Sequence, residues 1–129
     1  MKRKIKVALL GMLASAMGAC AGTGDVTTVE ADEFEKDITG HKVQLIDVRT
    51  PAEFSEGHLA NAVNIDVKEP DFISKASPRL DRKNKVYVYC RSGKRSMDAA
   101  RQLSKSGYKV VTLSGGILEW EQQRKPIVR

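Results

Sequence analysis

Cys90 follows the segment 85–89 (KVYVY), β-branched and aromatic after Lys85, and opens the segment Cys90-Arg91-Ser92-Gly93-Lys94-Arg95-Ser96. A helix pattern begins inside that segment. Backbone N–H groups in such a turn can point inward around an anion, and Gly93 lets the chain bend. A helix N-terminus beside it adds positive potential. Arg91, Lys94 and Arg95 add charge, with no acid before Asp98. Together these features favour thiolate over thiol and predict a nucleophilic Cys90 facing a small anion. No His or carboxylate adjoins Cys90 in the chain, so acyl transfer by a Cys–His pair is disfavoured. A core cysteine would have apolar neighbours on both sides. The basic flank of Cys90 argues for chemistry instead.

The elements that must position this loop alternate between strand and helix patterns. Val26–Val29 is a short strand candidate. Residues 30–39 read as a helix with Phe34 and Ile38 on one face, ending at Gly40. Residues 43–48 (VQLIDV) are nearly continuous apolar, as in a strand covered on both sides. Pro51–Glu56 starts with proline at a first helical turn, and 62–65 is a brief strand. Pro70 and Pro78 confine any helix in 69–83 to the stretch between them. Residues 85–89 carry the sharpest strand signal. A helix follows over 94–106, with Met97, Ala100 and Leu103 as its expected buried stripe. Residues 108–113 form a further strand and 117–123 a last helix. Such alternation predicts an α/β domain with a mainly parallel sheet.

The chain has 129 residues and a formal net charge of +6. That charge invites a nucleic-acid role, but its distribution argues otherwise. Lys2, Arg3, Lys4 and Lys6 precede an apolar run over residues 7–19. This run is shorter than the ~20 residues of a membrane span. A basic start, a short apolar middle and small residues at the end predict an export signal over residues 1–19. Ala16-Met17-Gly18-Ala19-Cys20 resembles the lipobox of bacterial lipoproteins, in which the cysteine becomes the lipidated first residue. Met17 departs from the usual Leu. Residues 20–25 then form a tether, and acyl chains on Cys20 would hold the protein at a membrane surface, facing the periplasm. A thioether at Cys20 excludes a disulfide to Cys90. Without residues 1–19 the charge is +2, and nucleic acid is not expected as a partner. Two cysteines and two distant histidines, His41 and His58, make a metal cluster improbable.

Four segments in order resemble the rhodanese domain: Asp47-Val48-Arg49, the run from Glu53 through Gly57-His58-Leu59 to Ala62, the Cys90 loop, and Gly115-Gly116 with Trp120. The resemblance spans about residues 26 to 125 and places the domain at 26–126. It implies a five-stranded parallel sheet with helices on both faces and a persulfide on Cys90 during sulfur transfer. The substrate-binding residues expected are Arg91, Ser92, Gly93, Lys94, Arg95 and Ser96. Phosphatase relatives carry His-Cys-x(5)-Arg. Here Tyr89 replaces the His, Ser96 stands where that Arg would fall, and Arg95 comes one residue early. The smaller cradle suits sulfur better than a phosphoryl group.

The expected activity moves a sulfane sulfur from a thiosulfate-like anion to a thiol, an acceptor protein or cyanide, without metal or organic cofactor, in a monomer. The competing expectation is a persulfide carrier or an envelope protein-binding module that does not turn over. Asp47 and Arg49 are expected to pair with each other's neighbours and hold loops. His58 is expected to hydrogen-bond a loop, and Gly115 and Gly116 to bring backbone close to the Cys90 loop. Trp120 is expected in the core.

Overall fold

The computed structural model describes residues 24–129; the expected export signal, Cys20 and the first part of its tether lie outside the described residues. Five short strands carry the fold: β1 (Val26–Val29), β2 (Gln44–Asp47), β3 (Val63–Asn64), β4 (Val86–Tyr89) and β5 (Val110–Leu113). Their spatial order is β1-β5-β4-β2-β3, and every neighbouring pair is parallel. Parallel pairing requires crossovers, and helices supply them. These are α1 (Ala31–Ile38), α2 (Pro51–Glu56), α3 (Phe72–Ala76), α4 (Lys94–Lys105) and α5 (Gly116–Gln122).

The period-2 alternation of strand side chains divides the core in two. Ile46, Val86, Val88 and Val110 pack with Phe72 of α3 and with Ala99, Ala100 and Leu103 of α4. Leu45, Tyr87, Tyr89, Val111 and Leu113 pack with Phe34 of α1 and with Ile117 and Trp120 of α5. Helices therefore cover both faces, which is why β4 and β5 are buried along their whole length. Each fully buried large apolar side chain contributes about 1.5–3 kcal/mol relative to exposure.

Two local expectations shift. The buried stripe of α4 runs through Ser96, Ala99, Ala100 and Leu103. Met97 sits at its half-buried edge, its Sδ 3.8 Å from the hydroxyls of Thr28 and Thr112. β5 starts at Val110 rather than 108, because the Tyr108 N–H is spent on the Leu103 carbonyl in closing α4. Between Pro70 and Pro78 the helix is Phe72–Ala76, within the stretch expected, and a 3-10 turn follows at Ser77–Arg79.

The C-terminal segment returns to the site region. His58 and Val128 exchange backbone hydrogen bonds of 2.8 and 2.9 Å, and the Trp120 indole N–H donates to the Pro126 carbonyl at 2.8 Å. β4 lies between β5 and β2, and the chain passes from β2 to β3 on one side and from β4 to β5 on the other. The carboxyl end of β4 is thus a topological switch point, where open α/β sheets bind ligands.

Candidate active site

Cys90 continues the alternation of β4 by one residue. Val86 and Val88 face α4, Tyr87 and Tyr89 face α5, and Cys90 falls on the α4 side. Its side chain is buried. The Gly93 N–H donates to Cys90 Sγ at 3.0 Å. Ser96 Oγ lies 3.6 Å from Sγ and donates to the Gly93 carbonyl at 3.1 Å. Gly93 itself is the N-cap of α4 at φ 106°, and no side chain caps that end. The first-turn N–H groups of α4 therefore keep free donors beside the sulfur. A Cβ at position 93 would overlap the Ser114 carbonyl, so both the conformation and the space call for glycine.

The start of α5 holds the loop from the other side. The Ile117 N–H donates to the Cys90 carbonyl at 2.9 Å, and the Leu118 N–H to the Arg91 carbonyl at 3.1 Å. Two carbonyls that would repel an anion are thereby engaged. Gly116 makes the approach possible: it has φ 64°, and a Cβ there would overlap the Arg91 carbonyl group. At Gly115 a Cβ would meet the Glu119 side chain instead. Gly116→Ala is expected to lower stability by about 1–3 kcal/mol, the cost of left-handed strain in a non-glycine residue. Urea unfolding measures it, and an unchanged midpoint would show that the contact yields freely.

Asp47 and Arg49 bind each other rather than each other's neighbours. Arg49 Nη2 lies 2.6 Å from Asp47 Oδ2, its Nε donates to both carboxylate oxygens, and its backbone N–H donates to Oδ1 at 2.9 Å. The remaining reach of Nη2 goes to the Gly57 carbonyl at 2.7 Å. Asp47 is fully buried and Arg49 nearly so. Burial opposes the Arg49 charge, but the Asp47 hydrogen bonds and charge outweigh it and raise the guanidinium above its ordinary value. The loop-holding role expected for the pair is therefore exercised by Arg49 on the end of α2.

His58 takes a similar part. Its Nδ1 is 2.9 Å from the Phe54 carbonyl of α2, and its ring stacks on Phe54 at 3.7 Å between centroids. Tyr89, in place of a catalytic His, is buried, and its hydroxyl accepts from the Leu59 N–H at 3.0 Å. Burial first, then the Asp47 charge, push the phenol well above its usual range, so it stays neutral.

The three expected cations of the loop are not equivalent. Arg91 and Lys94 are exposed. Arg95 is held by Glu53 through two hydrogen bonds, Nη1 to Oε1 at 2.8 Å and Nη2 to Oε2 at 2.9 Å. Glu53 also accepts from the backbone N–H and hydroxyl of Thr50, completing a capping box at the start of α2. The Arg95 hydrogen bonds, followed against desolvation by those of Thr50, lower the Glu53 carboxyl from 4.5 to about 2. Glu53 was not singled out as a site residue, although it opens one of the segments that resemble the rhodanese domain; Thr50-x-x-Glu53 at the start of α2 is its local signal. A cavity of about 290 Å³ lies between Glu53 and Glu56 of α2, Leu118 and Glu121 of α5, and Arg91. A larger one, about 490 Å³ beside Asn64, Asp66 and Lys75, includes no residue of the Cys90 loop.

Comparison with known proteins agrees with this geometry. The family model of the rhodanese-like domain matches residues 30–123. YtwF of Bacillus subtilis is 39% identical over 99 residues, covering 76% of this chain and 84% of that protein. Thiosulfate sulfurtransferase 16 of Arabidopsis thaliana is 33% identical, covering 69% of this chain and 81% of its own. The crystal structure of a rhodanese-related protein from Thermoplasma volcanium matches with a TM-score of 0.69 at 31% identity, over 79% of this chain and 97% of that one. By its family match, its identity to these relatives and its strand order, the chain belongs to the rhodanese-like domain family.

Proposed function

We propose that this protein is a sulfurtransferase that carries a sulfane sulfur on Cys90. The observation that carries this reading is the Cys90 sulfur itself, met by the Gly93 N–H at 3.0 Å beside the uncapped start of α4. Named sulfurtransferases among the relatives support it.

The first step is attack by the Cys90 thiolate on the outer sulfur of thiosulfate. A bond forms between Sγ and that sulfur, and the sulfur–sulfur bond of the donor breaks. Its electron pair leaves with sulfite. Arg91 and Lys94, exposed at the loop, offset the charge that develops on the leaving group. The persulfide anion then rests against the N–H groups of the loop and the first turn of α4. In the second step a nucleophile, a thiolate or cyanide, attacks the outer sulfur and the Cys90 thiolate departs. Two half-reactions through one covalent intermediate predict ping-pong kinetics.

The test is intact mass without reductant after incubation with thiosulfate. The expected result is a gain of one sulfur atom, removed again by cyanide as thiocyanate forms. No adduct, while Cys90 still reacts with a small thiol reagent, would exclude thiosulfate as donor. Loading without repeated turnover would assign the carrier role instead.

A further inference from the structure

Arg95 is one of three cations that the sequence places in the Cys90 loop, with Arg91 and Lys94. In the folded chain both of its terminal nitrogens are occupied by one carboxylate, that of Glu53, forty-two residues away. The contact is only about a quarter exposed on either side chain. Glu53 cannot easily swing aside, because Thr50 holds the same carboxylate from α2 through its N–H and hydroxyl. The groups that determine the field at Cys90 can be named from each side. Arg91 stands on the loop, Lys94 and Arg95 in the first turn of α4, Glu53 on α2, and Asp66, beyond β3, adds its negative charge at Arg95.

We propose that Glu53 is a positioning residue for sulfur chemistry at Cys90. By engaging both ends of the Arg95 guanidinium it fixes that side chain toward α2 and offsets its charge. The cradle then presents Arg91 and Lys94, and not Arg95, to an anionic donor. This deepens the sulfurtransferase reading and rests on it for its biological meaning, but the electrostatic claim stands apart from turnover. A cradle with one cation neutralised binds a dianionic donor less tightly and releases sulfite more readily than one with three free cations. Glu53 thus limits how strongly the loop holds anions.

The test uses two methanethiosulfonate reagents of similar size, one bearing a sulfonate and one a trimethylammonium group, on the full chain. The ratio of their rates at Cys90 reads the local potential without requiring sulfur transfer. Glu53→Gln keeps the capping box, since Gln serves at that position as well as Glu. It is expected to raise the anionic-to-cationic ratio several-fold and to lower KM for thiosulfate, with little change in the loading rate at saturation. Arg95→Met is expected to lower the ratio by leaving Glu53 unpaired. The double variant Glu53→Gln/Arg95→Met is expected to return close to the original ratio. A purely structural Glu53 would shift the melting temperature and leave the ratio unchanged, which overturns the proposal. Should Glu53→Gln not fold, the comparison of Arg95→Met with the double variant decides: equal ratios overturn the proposal, and recovery supports it. If no variant takes sulfur from thiosulfate while the ratios move as expected, the sulfurtransferase reading fails and the electrostatic role of Glu53 survives.

Discussion

Cys90→Ser is expected to abolish sulfur loading and to cut thiocyanate formation from thiosulfate and cyanide by at least about a thousandfold, the scale on which removal of a covalent nucleophile acts. The reason is chemical and not steric. A thiolate is the attacking species and a serine hydroxyl stays protonated at neutral pH, so the Sγ–sulfur bond has no counterpart. The fold should tolerate the change. Serine is slightly smaller, and its oxygen can accept the Gly93 N–H that now points at Sγ. A shift in unfolding free energy within about 1 kcal/mol is therefore expected. The two measurements together separate loss of chemistry from loss of structure. Thiocyanate formation near the original rate in a folded Cys90→Ser protein would remove the covalent mechanism.

Asp47→Ala is expected to cost about 3–5 kcal/mol of stability, because it leaves a buried cation without its partner. Asp47 has no exposed surface and accepts from the backbone N–H, Nε and Nη2 of Arg49. With the carboxylate gone, Arg49 retains only the Gly57 carbonyl among the described residues. The loss should spread to the site, since Asn64 ties β3 to the carbonyls of Asp47 and Arg49, and Gly57 closes α2, which carries Glu53. Urea unfolding gives the magnitude. The double variant Asp47→Ala/Arg49→Met should recover part of it, because the unpaired charge is then absent. A loss below about 1 kcal/mol in Asp47→Ala would mean that water or a neighbour takes over the guanidinium, against the burial seen here.

Much of the fold was legible because its signals are local. After Lys85, residues 86–89 alternate between β-branched and aromatic, which predicts a buried strand without knowledge of its neighbours; β4 occupies Val86–Tyr89. Pro51 marks a helix start, and α2 spans Pro51–Glu56 as expected. Errors arose where tertiary contacts override a local pattern. Met97 lies on the apolar side of an ideal helix, but β1 and β5 end near it and leave it at the rim with Thr28 and Thr112. Tyr108 looks like strand, but its N–H serves the end of α4. Asp47 and Arg49 were recognised as structural, but not as partners, since their mutual approach depends on a bend after β2 that side-chain type does not encode.

By itself the sequence determined that a cysteine stands where a strand gives way to a basic, glycine-containing turn and a helix, within an α/β alternation. Those features depend on residues within a few positions of one another. Only the tertiary structure decided which charges act on that cysteine. Arg91, Lys94 and Arg95 are equal in the sequence, and Arg95 becomes different because α2 packs against the start of α4 and brings Glu53 to it. Charge along a chain is additive, whereas the field at a site depends on pairing through space, and pairing across forty-two residues is set by packing.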